Sequence, residues 1–163
     1  MVVWLLVDQS WAGLVSAGLL LGLLALAWLD VRSGLLPDAL TGPLTLLGVG
    51  LGPLGWTAAL SAAISTWAVL TVLAWGYRVV RGQDGFGGGD IKLLALLAAW
   101  LGLTVSVLVL WLACLLGLLW WVVGRGGRRA SYPFGPGLAL AALPWVLAGP
   151  HRSLAAVGFM LAA

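Results

Sequence analysis

The sequence predicts an all-α integral membrane protein, a bundle of about six transmembrane helices, each needing about 20 apolar residues to span. Three observations predict it. First, 63% of the 163 residues are hydrophobic and 8% are charged, with a mean hydropathy of +1.12. A soluble domain carries about 25% charged residues, so this chain lacks the polar side chains to cover a globule. Second, the apolar residues fall in runs of spanning length divided by short Gly-, Pro- and Arg-rich breaks. Third, the basic residues sit in those breaks, as membrane topology requires. The length suits one domain over residues 1–163.

The first spanning run is 11–29, and the polar turn Asp30-Val31-Arg32-Ser33-Gly34 follows it. Pro37 suits the first turn of a second helix, where its missing N–H does no harm. That helix reaches about Gly50, is interrupted at Pro43, and ends in Gly50-Leu51-Gly52-Pro53. A third helix covers 56–80. Residues 81–89 hold five glycines among nine and read as a loop. Asp90 opens a fourth run that reaches Trp100. At about 1.5 Å per residue, 90–101 measures about 18 Å, short of the roughly 30 Å hydrocarbon core. This helix therefore either fails to span or continues through Gly102. A fifth helix covers 105–123, the basic loop Gly124-Arg125-Gly126-Gly127-Arg128-Arg129 follows, and a sixth run covers 133–147. The apolar tail 153–163 is too short for a clear span.

Placing the loops 30–36, 81–89 and 124–132 on one face puts Arg32, Arg78, Arg81, Lys92, Arg125, Arg128 and Arg129 together, seven of the eight basic residues. The positive-inside rule makes that face cytoplasmic and leaves the N-terminus outside. The basic balance is thus topological and implies no nucleic-acid partner. The lone Cys114 lies in an apolar run and reads as a small buried side chain. The lone His151 reads as interfacial, and no Cys/His set is present to hold a metal. The start of the chain has no basic segment, and Asp8 precedes the main apolar run. Both features argue against a removable signal peptide. Trp28, Trp56 and Trp75 lie near proposed helix ends, where indoles favour the interface.

All five acids are aspartates: Asp8, Asp30, Asp38, Asp84 and Asp90. Ionisable residues beside spanning sequence are functional candidates. Asp90 follows Gly87-Gly88-Gly89, and glycine permits unusual dihedrals and close approach of another chain. Asp90 is equally placed to act as a helix N-cap. Asp30 stands at a helix C-terminus, where an acid opposes the macrodipole, so it has no simple local reason to be there. Asp38 stands in a first turn, where a carboxylate is welcome, and Arg32 is placed to pair with either Asp30 or Asp38. Lys92 is placed to neutralise an aspartate, to bind headgroups or to snorkel. Two carboxylates at one membrane face that share a proton and activate water perform the chemistry of an aspartyl protease.

The pattern Asp30, then Leu36-Pro37-Asp38-x-Leu40-Thr41, then Gly89-Asp90-x-Lys92-Leu93-Leu94-Ala95, resembles the type IV prepilin peptidase family. The later Pro133-Phe134-Gly135-Pro136 resembles that family's last characteristic loop. The resemblance implies an intramembrane aspartyl endopeptidase with six membrane helices. It implies cleavage of the leader of prepilin or pseudopilin substrates at the cytoplasmic side of the inner membrane. It makes Asp30 and Asp90 the catalytic pair. It gives Gly87, Gly88, Gly89, Lys92, Asp38, Pro133, Phe134 and Gly135 supporting or substrate-binding roles, and it calls for no cofactor. With one cysteine and no paired Cys-x-x-Cys motifs, the chain resembles the short, protease-only form of the family. A small proton-coupled transporter is the rival reading, since carboxylates also build proton relays. An inert membrane scaffold is a third. The separation of the Asp30 and Asp90 carboxyls discriminates among them.

Overall fold

A computed structural model describes residues 2–83, 87–123 and 134–148, with side chains from residue 13 onward. The described residues form six helices: α1 (Val2–Ser33), α2 (Asp38–Leu51), α3 (Trp56–Arg81), α4 (Gly88–Leu101), α5 (Leu103–Val123) and α6 (Phe134–Ala148). Three stretches are long and apolar enough to cross a membrane: Gly13–Ser33 in α1, Trp56–Arg81 and Leu103–Val123. The other three helices have 14, 14 and 15 residues. At about 1.5 Å per residue they measure about 21–23 Å, less than the roughly 30 Å of hydrocarbon.

One of the two shortest helices, α4, holds the middle of the bundle. In α4, Ile91 and every residue from Leu93 to Leu101 are buried. This helix packs against α2, α3, α5 and α6, while α1 closes the bundle on α6. Lipid is as apolar as leucine, so packing and small interface residues must hold membrane helices together. Ala59, Ala62 and Ala63 of α3 and Ala95, Ala98 and Ala99 of α4 are all buried. At the α2–α4 contact, the Trp100 indole N–H donates to the Leu44 carbonyl at 2.8 Å. Gly48 makes room for that ring, since a Cβ there would lie 2.5 Å from Trp100 Nε1.

Several expected boundaries move. α1 is continuous from Val2 and absorbs the expected turn as far as Ser33. Nothing in that stretch breaks a helix, since it contains no proline. It stops at Gly34, whose φ of 64° is left-handed and whose N–H caps the Asp30 carbonyl at 2.8 Å. Pro43 does not interrupt α2; a missing donor removes one backbone bond, and the packed helix tolerates that. The fourth helix does not run on. Gly102 at φ 86° divides α4 from α5, so of the two alternatives the helix that falls short of spanning holds. Cys114, expected to be buried, is exposed on α5. An apolar run facing lipid reads in sequence like one facing protein. His151 and Asp84 lie outside the described residues.

Candidate active site

Asp30 lies in the last turn of α1, at a helix end that repels negative charge. It is buried, with 8% of its surface exposed. α6 supplies the compensation. The backbone N–H of Gly135, in the first turn of α6, donates to Asp30 Oδ2 at 2.9 Å. The positive end of one helix thus answers an acid stranded at the negative end of another. Gly135 is itself buried. A Cβ there would stand 2.7 Å from Asp30 Oδ2, 3.0 Å from Cγ and 3.1 Å from Cβ, so only glycine allows this approach.

Asp90 occupies the first turn of α4, outside the three spanning stretches. Burial pushes its carboxyl up to about 6, and the nearby charge of Asp30 pushes in the same direction. The two carboxyls, 60 residues apart in the chain, therefore interact electrostatically. Among the described residues, Asp30 accepts a backbone N–H and Asp90 accepts no hydrogen bond. The pair is asymmetric, with one member solvated by the protein and the other biased toward its neutral form.

The glycines before Asp90 play unequal parts. A Cβ on Gly87 would lie 2.9 Å from Asp90 Oδ2. A Cβ on Gly89 would lie 2.9 Å from Leu36 Cδ1 and 3.1 Å from Leu36 Cβ, so this glycine lets the α1–α2 connection cross the start of α4. Gly88 faces open space. The close approach anticipated from the sequence is real, but the approaching groups are the chain's own Leu36 and Asp90.

Lys92 pairs with Asp38, joining the start of α4 to the start of α2. The pair is solvent-accessible, with 44% and 72% of the side chains exposed. Arg32 stacks on Trp28, its guanidinium 4.3 Å from the ring centroid. The expected pairing of Arg32 with Asp30 or Asp38 is replaced by this cation–π contact one helical turn away. Phe134 opens α6, half-buried and packed on the core. Pro133 lies outside the described residues. The role of Leu36 and the Gly135–Asp30 bond were not foreseen. Only the isolated acid at a helix C-terminus hinted that some donor must meet it. Among the described residues, no three of His, Cys, Asp or Glu gather as a metal site would require.

The fold and site define a helical membrane protein with two interacting aspartates held at helix ends. The family model described as "Type IV leader peptidase family" matches residues 17–122. The chain is 38% identical over 142 residues to a "Prepilin leader peptidase/N-methyltransferase" of Burkholderia pseudomallei, covering 82% of this chain and 46% of that protein. It is 39% identical over 147 residues to a protein of the same name from Stutzerimonas stutzeri, covering 84% of this chain and 50% of the other. A third, from Neisseria gonorrhoeae, is 31% identical over 148 residues, with 86% and 50% covered. The chain spans about half the length of these relatives. No solved structure matches it. The chain belongs to the type IV leader peptidase family.

Proposed function

We propose that this protein is an intramembrane aspartyl endopeptidase that removes the leader of prepilin-like or pseudopilin substrates, with Asp30 and Asp90 as its catalytic pair. The observation that carries the proposal is a buried Asp30 at the end of α1 and a half-buried Asp90 at the start of α4, near enough for the charge of Asp30 to help raise the Asp90 carboxyl, in a chain of this family. Asp30, held by the Gly135 amide, serves as the base and takes a proton from the attacking water. Asp90, biased toward its neutral form, donates to the scissile carbonyl oxygen. The proton belongs to the pair rather than to either residue. Of the glycines before Asp90, Gly88 faces open space while Leu36 lies against Gly89, and the Lys92–Asp38 pair ties the start of α4 to the start of α2. Of the two activities in the relatives' printed names, these residues support the peptidase.

The proposal places the dyad at the cytoplasmic face of the inner membrane, with the N-terminus outside and a six-helix bundle in which α2, α4 and α6 are the short members. The excess of basic residues on that face supports the orientation. Co-expression with a prepilin tests the function. A shorter product on a gel is expected with the wild-type chain and not with Asp90→Asn. An unprocessed prepilin beside well-expressed wild-type protein refutes the proposal.

A further inference from the structure

Gly89 immediately precedes Asp90, inside the first turn of α4. Among the described residues, the glycines with left-handed φ are Gly34, Gly55, Gly82 and Gly102. Gly89 is not one of them, so its backbone conformation is open to any residue, and alanine is the better helix former. What bars a side chain here is Leu36. An added Cβ would lie 2.9 Å from Leu36 Cδ1 and 3.1 Å from Leu36 Cβ. Leu36 is itself half-buried and packed on the core.

Leu36 sits in the short connection between α1 and α2, which begins just past Asp30. That connection is fastened at both ends. At the α1 end, the Gly34 N–H donates to the Asp30 carbonyl at 2.8 Å. The Ser33 hydroxyl donates to the Leu29 carbonyl at 2.8 Å and accepts the Leu35 N–H at 3.4 Å. At the α2 end, the Pro37 carbonyl accepts the N–H groups of Leu40 and Thr41 at 3.1 and 3.2 Å. The chain between these ends meets α4 on both sides of Asp90, with Leu36 on Gly89 and Asp38 on Lys92. The ion pair is exposed, and an exposed pair holds its partners weakly. The Leu36 contact is apolar and close-packed, and close-packed groups do not yield continuously. It is the contact that fixes how far the start of α4 stands from the end of α1.

Resting on the peptidase reading above, we propose that Leu36 is a positioning residue of the dyad: its side chain, seated on Gly89, sets the separation of the Asp30 and Asp90 carboxyls. It acts through the α4 backbone at Gly89. The Gly135 amide, 2.9 Å from Asp30 Oδ2, orients one carboxyl, and Leu36 places the other against it.

The test measures prepilin cleavage by the full chain in bilayers. Leu36→Ala should lower kcat about tenfold or more with KM little changed, because the dyad is misplaced while binding is not. Leu36→Met, close in volume, should keep kcat within about threefold of wild type. Asp30, Asp38 and Lys92, the charged groups around the start of α4, all remain in Leu36→Ala. A wider gap weakens the push of the Asp30 charge on Asp90, so the alkaline fall in activity should move to lower pH. Simple loss of folded protein would lower kcat and leave that limb in place. Gly89→Ala should also lower kcat about tenfold or more. Combining it with Leu36→Ala removes Cδ1 from the clash and should raise activity at least about threefold above Gly89→Ala alone. Leu36→Val replaces Leu36→Ala if the latter does not accumulate. Losses that multiply in the double variant, or a Leu36→Ala enzyme with wild-type kcat and pH limb, overturn the proposal.

A second arm needs no cleavage. Spin labels on Val31→Cys and Gly88→Cys in a Cys114→Ser background report the separation of the two helix ends. Val31 is 62% exposed, and a Cβ at 88 meets no atom within 4 Å. Leu36→Ala should shift or broaden the distance distribution, and Leu36→Met should restore it. An unchanged distribution overturns the proposal. If the distance responds to Leu36 but the wild-type chain cuts no prepilin, the peptidase reading has failed and the spacing role of Leu36 stands.

Discussion

Replacing Gly135 by alanine places one methyl group against the carboxylate of Asp30. The added Cβ would stand 2.7 Å from Oδ2 and 3.0 Å from Cγ, well inside van der Waals contact. The obstructing atoms belong to a buried carboxylate on a 32-residue helix, not to the tip of a flexible side chain. Either the carboxylate turns away or the start of α6 withdraws. Both stretch the 2.9 Å N–H bond that holds Asp30. A hydrogen bond to a charged group contributes about 1.5–3 kcal/mol. A misplacement of about 1 Å at a catalytic group costs on the order of a hundredfold in rate. The expected result is a fall in kcat of about a hundredfold, which corresponds to about 2.7 kcal/mol of lost transition-state stabilisation. KM should change little, because the carboxylate acts on the water and not on substrate binding. The assay is leader cleavage by purified protein in bilayers, with thermal unfolding followed in parallel. Gly76→Ala serves as control, since a Cβ there meets nothing within 4 Å. If Gly135→Ala keeps more than about a third of the wild-type kcat, a loss of under about 0.7 kcal/mol, the Gly135 amide does not set the geometry of Asp30.

Four further outcomes follow from the same geometry. Gly48→Ala should lower the unfolding temperature, by an overpacking cost of about 1–3 kcal/mol, because its Cβ would meet the Trp100 ring at 2.5 Å; unchanged melting would show that α2 and α4 separate freely. Asp38→Asn should reduce cleavage less than tenfold, since an exposed ion pair is worth about 0–1 kcal/mol; complete loss would move a catalytic role to Asp38. The reaction needs the proton that Asp90 holds, so activity should fall as pH rises through the region above about 6, where that proton leaves the pair. A rate independent of pH between about 5 and 9, on a substrate without groups titrating there, would contradict a carboxylic acid as the donor. Reporter fusions near residues 85 and 127 should both report cytoplasm, and a periplasmic signal at either would sink the orientation.

The helical class and most breaks were legible because apolar run length and Gly/Pro punctuation record them directly. Gly102 and Gly52 stop helices where the sequence says they should. The central place of α4 was not legible. Its residues are apolar all round, and in a membrane protein that pattern fits a lipid-facing helix as well as a buried one. The end of α1 was misplaced by four residues because a polar stretch reads as a turn, whereas Asp30 is held in the helix by a partner in α6. That partner is 105 residues away, and no local signal specifies it. The Lys92–Asp38 pair, across 54 residues, was hidden in the same way. The two aspartates stood out because a chain this poor in charge leaves each acid to be explained separately.

The central claim is that Asp30 and Asp90 together cleave a leader peptide. Its most direct test is a single gel comparing prepilin processing by the wild-type chain, Asp30→Asn and Asp90→Asn at equal membrane abundance. Asparagine keeps the shape and removes the shared proton and the base. The expected result is complete processing in the first lane and unprocessed prepilin in the other two. Mature product in either variant lane would contradict the assignment of the pair.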